Sequence, residues 1–154
     1  MSQKTNTYNL SCRLLDSQSM LDNMFDGCES IARSCDVFCN RGFTYGLFDG
    51  EKCWGFIGVV PLWQGVADVW GILDAKSFKY PLYLRRQSMN MIDEATKKYQ
   101  LHRLQSSSSI FDYHHASWME WLGFEMECIS KQYTSDKQDF ARYALTIKDD
   151  LCHS

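Results

Sequence analysis

A chain of 154 residues is long enough to bury one sizeable core, and its 45% hydrophobic and 14% aromatic content describes an ordered globule. A formal net charge of −3 and a pI of about 5.8 argue against bulk nucleic-acid binding. No apolar run approaches the ~18–20 residues of a membrane span, and the polar Met1–Asn9 has no apolar core of a secretory signal. A cytosolic product is therefore expected, folded as one domain over 1–154 with its body at 8–147 and short polar ends.

Tyr8–Leu15 alternates weakly and reads as a first strand, closed by the turn Asp16-Ser17-Gln18-Ser19. Ser17 or Ser19 is suited to cap the helix that follows. There Met20, Leu21, Met24, Phe25, Cys28 and Ile31 recur at helical spacing and form one apolar face, read as core rather than as a ligand groove. Ser34–Arg41 predicts a second short helical stretch, stopped by Gly42. Phe43–Phe48 and Cys53–Trp63 are strand-like, and the Asp49-Gly50 pair between them signals a hairpin. Pro61 suggests an edge or bulge late in the second run. Gln64-Gly65 makes another turn before the strand Val66–Leu73.

Pro81 then fits the first turn of a long helix, where its missing N–H costs nothing. Leu82, Met89, Ile92 and Tyr99 lie along one stripe, widened by Leu84, Met91 and Ala95. Leu101–Ile110 returns as a strand, which makes Val66–Ile110 a β-α-β crossover with parallel strands. A helix Tyr113–Leu122 ends in Leu-Gly-Phe, with Gly123 suited to a left-handed closing position and Phe124 entering the core. Strands Phe124–Tyr133 and Phe140–Ile147 finish the chain around the turn Thr134-Ser135-Asp136-Lys137.

Seven cysteines (Cys12, Cys28, Cys35, Cys39, Cys53, Cys128, Cys152) lack the spacing of a zinc site or disulfide framework, so free thiols and no metal are expected. Lys76, Lys79, Arg85, Arg86, Lys97, Lys98 and Arg103 face only Asp93 and Glu94 within one stretch. That local excess reads as a solvated helix face, or as a surface for an anionic ligand or a partner. No Gly-x-Ser-x-Gly elbow, Walker loop, paired His-x-x-x-His or Cys-His nucleophile pattern is present.

The element order β-α-α-β-β-β-α-β-α-β-β resembles the GNAT acetyltransferase superfamily. Asp112-x-x-His115-x-x-Trp118-Met119-x-x-Leu122-Gly123-Phe124, then Tyr133 and Phe140-x-x-Tyr143-x-x-x-Ile147, are most similar to GNAT-like proteins of short-tailed bacteriophages. The Val69-Trp70 strand and the Lys98-Tyr99 helix end fit the same pattern. The resemblance implies a mixed α/β fold with a splayed central sheet, helices on both faces and an acetyl-CoA cleft. It also implies a role in virion morphogenesis through a phage or host protein partner, in the host cytoplasm or in the virion, without membrane or nucleic acid. Exposed members of the set Trp54, Trp63, Trp70, Trp118 and Trp121 would suit such an interface, Trp70 and Trp118 being read as core.

The chain departs from the family pattern at two points. The loop Leu73-Asp74-Ala75-Lys76-Ser77-Phe78-Lys79-Tyr80-Pro81 has no glycine where backbone amides approach the coenzyme A pyrophosphate. Met119 stands four residues before the Gly123 closure, where many members carry a tyrosine that protonates the departing thiolate. Two readings follow: a pseudoenzyme with a degenerate acetyl-CoA site, or an active N-acetyltransferase acting on an amine of a host protein or small molecule. For the second, the resemblance implies Trp70, Ile72, Leu73, Lys76, Ser77, Lys79, Arg85 and Arg86 as cofactor-binding residues. Asp68 is the candidate base, and Tyr113 or His115 the candidate acid. Asp68 also reads as an exposed strand residue. His114 and His115 point about 100° apart on a helix, which favours a helix-start or packing role.

Overall fold

The structure is a computed structural model that describes residues 8–74 and 79–148. Strands β1 (Leu10–Leu15), β2 (Phe43–Asp49), β3 (Lys52–Trp63), β4 (Val66–Leu73), β5 (Arg103–Ser109), β6 (Glu125–Ser130) and β7 (Phe140–Thr146) form one sheet in the order β1-β2-β3-β4-β5-β7-β6. β4 and β5 are parallel, whereas β1 with β2, β5 with β7 and β6 with β7 are antiparallel. The helices are α1 (Ser17–Asp22), α2 (Glu29–Ala32), α3 (Pro81–Tyr99) and α4 (Tyr113–Trp121). The mixed α/β order is the expected one, and β4 and the start of α3 fall where the sequence places them.

The region before β2 differs from expectation. The predicted helix through Met20–Ile31 is two pieces: α1 ends at Asp22 with Asn23 as its C-cap, and Gly27, at φ +103° and outside helical backbone, lies in the break before α2. Asp16, not Ser17 or Ser19, caps α1: its Oδ1 accepts the Ser19 amide at 2.7 Å. The second predicted helix is a π-helical turn, Val37–Arg41, ending at Gly42. β6 stops at Ser130, short of Tyr133.

Two compact units divide the chain, one comprising Met1–Gly58 with Gly71–Lys79 and the other Val59–Trp70 with Tyr80–Ser154. In the first, Met20, Leu47, Phe56 and Ile57 are fully enclosed, and Phe25 stacks on Phe56 with centroids 5.5 Å apart. In the second, Val59, Ala67, Val69, Leu84, Met91, Ala95, Leu104 and Met119 form the core. Each buried large apolar side chain contributes roughly 1.5–3 kcal/mol over exposure. The α3 stripe Leu84, Ser88, Met91, Ile92 and Ala95 is buried at helical spacing.

α4 closes as the Leu-Gly-Phe sequence predicts. Gly123 has φ +92°, its N–H donates to the Glu120 carbonyl at 3.0 Å, and the Phe124 N–H donates to that of Met119 at 2.9 Å. This reciprocal pair is a Schellman motif, and it drops Phe124 to 3% exposure. Trp54 is buried, Trp70 and Trp118 are half-buried rather than wholly in the core, and Trp63 and Trp121 are exposed. Cys12, Cys28, Cys35, Cys39, Cys53 and Cys128 are free thiols. Burial raises the pKa of Cys53 to about 11 and pushes those of Cys28, Cys35 and Cys39 upward. These thiols therefore resist forming the nucleophilic thiolate.

Candidate active site

The parallel ladder between β4 and β5 runs Val66↔Arg103, Ala67↔Leu104, Asp68↔Gln105. Both strands continue beyond it, β4 to Leu73 and β5 to Ser109. Asp68 and Gln105 thus form the last rung. Asp68 is half-buried, which corrects the expectation of an exposed strand residue. Burial pushes its carboxyl above the ordinary range, while a hydrogen bond from Gln105 and the positive charge of Arg142 draw it partly back.

The Gln105 amide has a fixed orientation. Its Oε1 accepts from Arg103 Nε at 3.1 Å, and a guanidinium can only donate. The amide N–H₂ is therefore the side of Gln105 free to donate toward Asp68, its partner on the last rung. Arg103 is itself held by Glu127, with Nη1 to Oε1 at 2.7 Å and Nη2 to Oε2 at 2.6 Å, a bidentate pair. That pair pulls Glu127 below the ordinary carboxylate range. A chain of oriented groups, Glu127–Arg103–Gln105–Asp68, crosses one face of the sheet.

The opposite face carries a second cluster. Ser106 directly follows Gln105, so its side chain points the other way, and its Oγ lies 3.1 Å from His115 Nε2. The ring of His115 meets Trp118 and Tyr143 edge-on, each at 5.9 Å between centroids. Burial pushes the imidazole pKa down, partly opposed by Asp112, so His115 is neutral at neutral pH. Asp112 caps α4 by accepting the His115 backbone N–H at 3.0 Å. Asp68 and His115 therefore stand on opposite faces and do not form one acid–base pair across a single surface.

Tyr113 is 72% exposed at the start of α4, away from the Ser106–His115 contact. Trp70, Ile72 and Leu73 are half-buried on β4, Lys79 is exposed before α3, and Arg86 is exposed on α3. Lys76 and Ser77 lie outside the described residues. Arg85 sits over the Trp121 ring at 5.5 Å and donates to the Trp121 carbonyl at 3.5 Å, so its guanidinium ties α3 to α4. Met119 is wholly enclosed. Among the described residues no cluster of His, Cys, Asp and Glu is arranged to hold a metal ion, and no helix is long and apolar enough to cross a membrane.

The sequence matches no protein-family model, and no curated protein is similar to it. Solved structures are similar in fold. The ribosomal-protein-S5-alanine acetyltransferase from Vibrio fischeri superposes with a TM-score of 0.75 at 16% identity, over 94% of this chain and 96% of that one. A Bacillus subtilis acetyltransferase in complex with CoA gives 0.68 at 16% identity, over 90% and 99%. A GNAT-family acetyltransferase from Bacillus anthracis gives 0.67 at 14%, over 89% and 94%. This chain has the GNAT fold. Asp68, Gln105 and the Ser106–His115 pair are thus features of a GNAT sheet, at the end of its β4–β5 ladder. Sequence reasoning missed Gln105, Ser106, Glu127 and Arg142 and took Arg103 only as part of a basic stretch. The available signal was the polar alternation Arg103-x-Gln105-x-Ser107 within a strand whose other face begins with Leu104.

Proposed function

We propose that the protein is an acetyl-CoA-dependent N-acetyltransferase in which Asp68 is the general base. The observation that carries the reading is the state of Asp68: half-buried, raised above the ordinary carboxylate range, and paired in register with an amide whose own orientation is fixed. A carboxylate with a raised pKa is a better proton acceptor at neutral pH than an exposed one. Acetyl-CoA, when bound, supplies a thioester carbonyl to the attacking amine. The amine nitrogen forms the new N–C bond, Asp68 takes its proton, and the C–S bond breaks to release the thiolate.

A thiol of pKa near ~8.5 leaves readily as its anion, so an acid at Met119 is not essential to the step. On the other face, the Ser106–His115 pair keeps a hydroxyl and a neutral imidazole in fixed positions. The start of α3, without a side-chain cap, suits an anionic group, and exposed Arg86 adds positive charge to the same helix. The GNAT neighbours support this reading, since the named ones are acetyltransferases and one of them holds CoA.

A specific observation favours a second reading. Arg85, a candidate phosphate ligand, is engaged with Trp121, and the preceding loop has no glycine. A chain that has given up the cofactor and acts in phage virion assembly through a protein partner would tolerate both, with exposed Trp63 and Trp121 as contact residues. Isothermal titration with acetyl-CoA, with desulfo-coenzyme A as control, separates the two. Micromolar binding followed by acetyl transfer to an amine supports the enzyme. No heat and no thermal shift at millimolar ligand would remove it in favour of the binding protein.

A further inference from the structure

Arg142 lies on β7 opposite Ser107 in the β5–β7 register. Ser107 is two residues from Gln105, so Arg142, Ser107, Gln105 and Asp68 share one face. Five charged groups stand on this part of the face: Asp68, Arg103, Glu127, Arg142 and, opposite Ala144, which pairs with Gln105, the exposed Glu125. Arg103 and Glu127 satisfy each other with two parallel hydrogen bonds. What is left is one guanidinium, Arg142, and two carboxylates, the half-buried Asp68 and the exposed Glu125.

The charge of Arg142 is felt at both Asp68 and Glu127, yet among the described residues no ion pair or hydrogen bond holds its head group. Its Nε is buried without a hydrogen-bond partner. A structural arginine in a sheet is ordinarily bonded along its whole fork, as Arg103 is here. Ser107 beside it is exposed, so this part of the face is open to solvent.

We infer that Arg142 is a specificity residue that holds the carboxylate of the acceptor, and that the substrates are amines bearing a carboxylate. This rests on the acetyl-transfer reading, with Asp68 serving the amine. A planar two-oxygen anion matches the guanidinium fork. One unpaired cation beside a base suits a single negative charge better than a phosphate dianion. The source is a free amino acid or a peptide whose first residue is acidic.

The test uses the full chain with acetyl-CoA and acceptor pairs differing in one group: phenylalanine against phenethylamine, and a peptide beginning with Asp against one beginning with Asn. The wild type is expected to favour the carboxylate member of at least one pair by tenfold or more in kcat/KM, mainly through KM. The preferred pair names the source. Arg142→Met should erase the preference within each pair, read as the ratio of the two members because the same charge also acts on Asp68, and Arg142→Lys should restore part of it. Equal rates within both wild-type pairs, or a preference that survives Arg142→Met, overturns the assignment. If acetyl-CoA does not bind at all, the acetyl-transfer reading fails separately. Arg142 is then judged by thermal shift with acceptors alone: stabilisation by the carboxylate members, lost in Arg142→Met, supports the site, and no stabilisation overturns it.

Discussion

An amine near neutral pH is mostly an ammonium ion, with reference values of about 7.7–8.0 for an α-amine and about 10.4 for lysine, and attack on a thioester needs its lone pair. A carboxylate raised by burial and steered by Gln105 meets that need. Asp68→Asn keeps the shape and removes the base, so kcat should fall roughly 10²–10⁴-fold while acetyl-CoA affinity stays put; a change confined to cofactor binding would contradict the role. Ser106 makes a different kind of contribution. Ser106→Ala leaves His115 Nε2 without its partner in a largely buried setting, and equilibrium urea unfolding should show a loss of about 1–3 kcal/mol. An unchanged midpoint and slope would mean that the hydrogen bond contributes nothing net. Asp68 and His115 were readable as candidates from sequence because carboxylates and imidazoles advertise their chemistry. Their placement on opposite faces was not, since it depends on the register that seats Gln105 beside Asp68 and Ser106 beneath α4.

Elements closed by local signals came out where the sequence put them. β4 is a mostly apolar run that starts directly after the Gln64-Gly65 turn, and Pro81 opens α3 at the position its missing N–H allows. The break in the first predicted helix holds a local signal too, Gly27 at φ +103°, but the apolar periodicity across Met20–Ile31 masks it. The Glu127–Arg103–Gln105 chain is another matter. It joins residues 24 apart through strands whose order reverses, β7 lying between β5 and β6, and a single sequence carries no register for such pairs. Glycine closures allow a direct test at this scale. A Cβ at Gly123 would meet only Leu145 Cδ1, at 3.9 Å, so Gly123→Ala should cost the backbone penalty alone, about 1–2 kcal/mol. At Gly65, with φ +81°, a Cβ would collide with the His102 ring at Nδ1. Gly65→Ala should therefore cost more, and His102→Ala should recover the excess but not the backbone part. Equal losses at the two glycines in denaturant melts would contradict this account.

Across the whole molecule the carboxylates pull stability in opposite directions with pH. Glu127, Asp16, Asp136 and Asp139 are all held below the ordinary range, by hydrogen bonds from Arg103, Ser19, Thr134 and Gln132 respectively as the leading cause. Groups of this kind stabilise the fold above their unfolded pKa of about 3.9–4.3. That contribution is lost as pH falls through their folded values, so they drive acid unfolding. Asp68 has the reverse sign. Its folded pKa is raised, so its contribution is fully present below about pH 3.9 and is lost as pH rises through the folded value. The charge needed for proton abstraction is thus obtained at the expense of stability. Asp68→Asn removes a group that titrates in this way. Its stability relative to the wild type should climb from about pH 4 upward and level off once wild-type Asp68 is ionised. Wild-type kcat/KM should rise over the same interval, because the same deprotonation creates the base. Urea melts of both proteins at half-unit steps from pH 4 to 8, run beside the wild-type pH–rate profile, check this directly. A flat stability difference, or a rate that rises only after the difference has levelled, would separate the titrating group from the catalytic one and remove Asp68 from the mechanism.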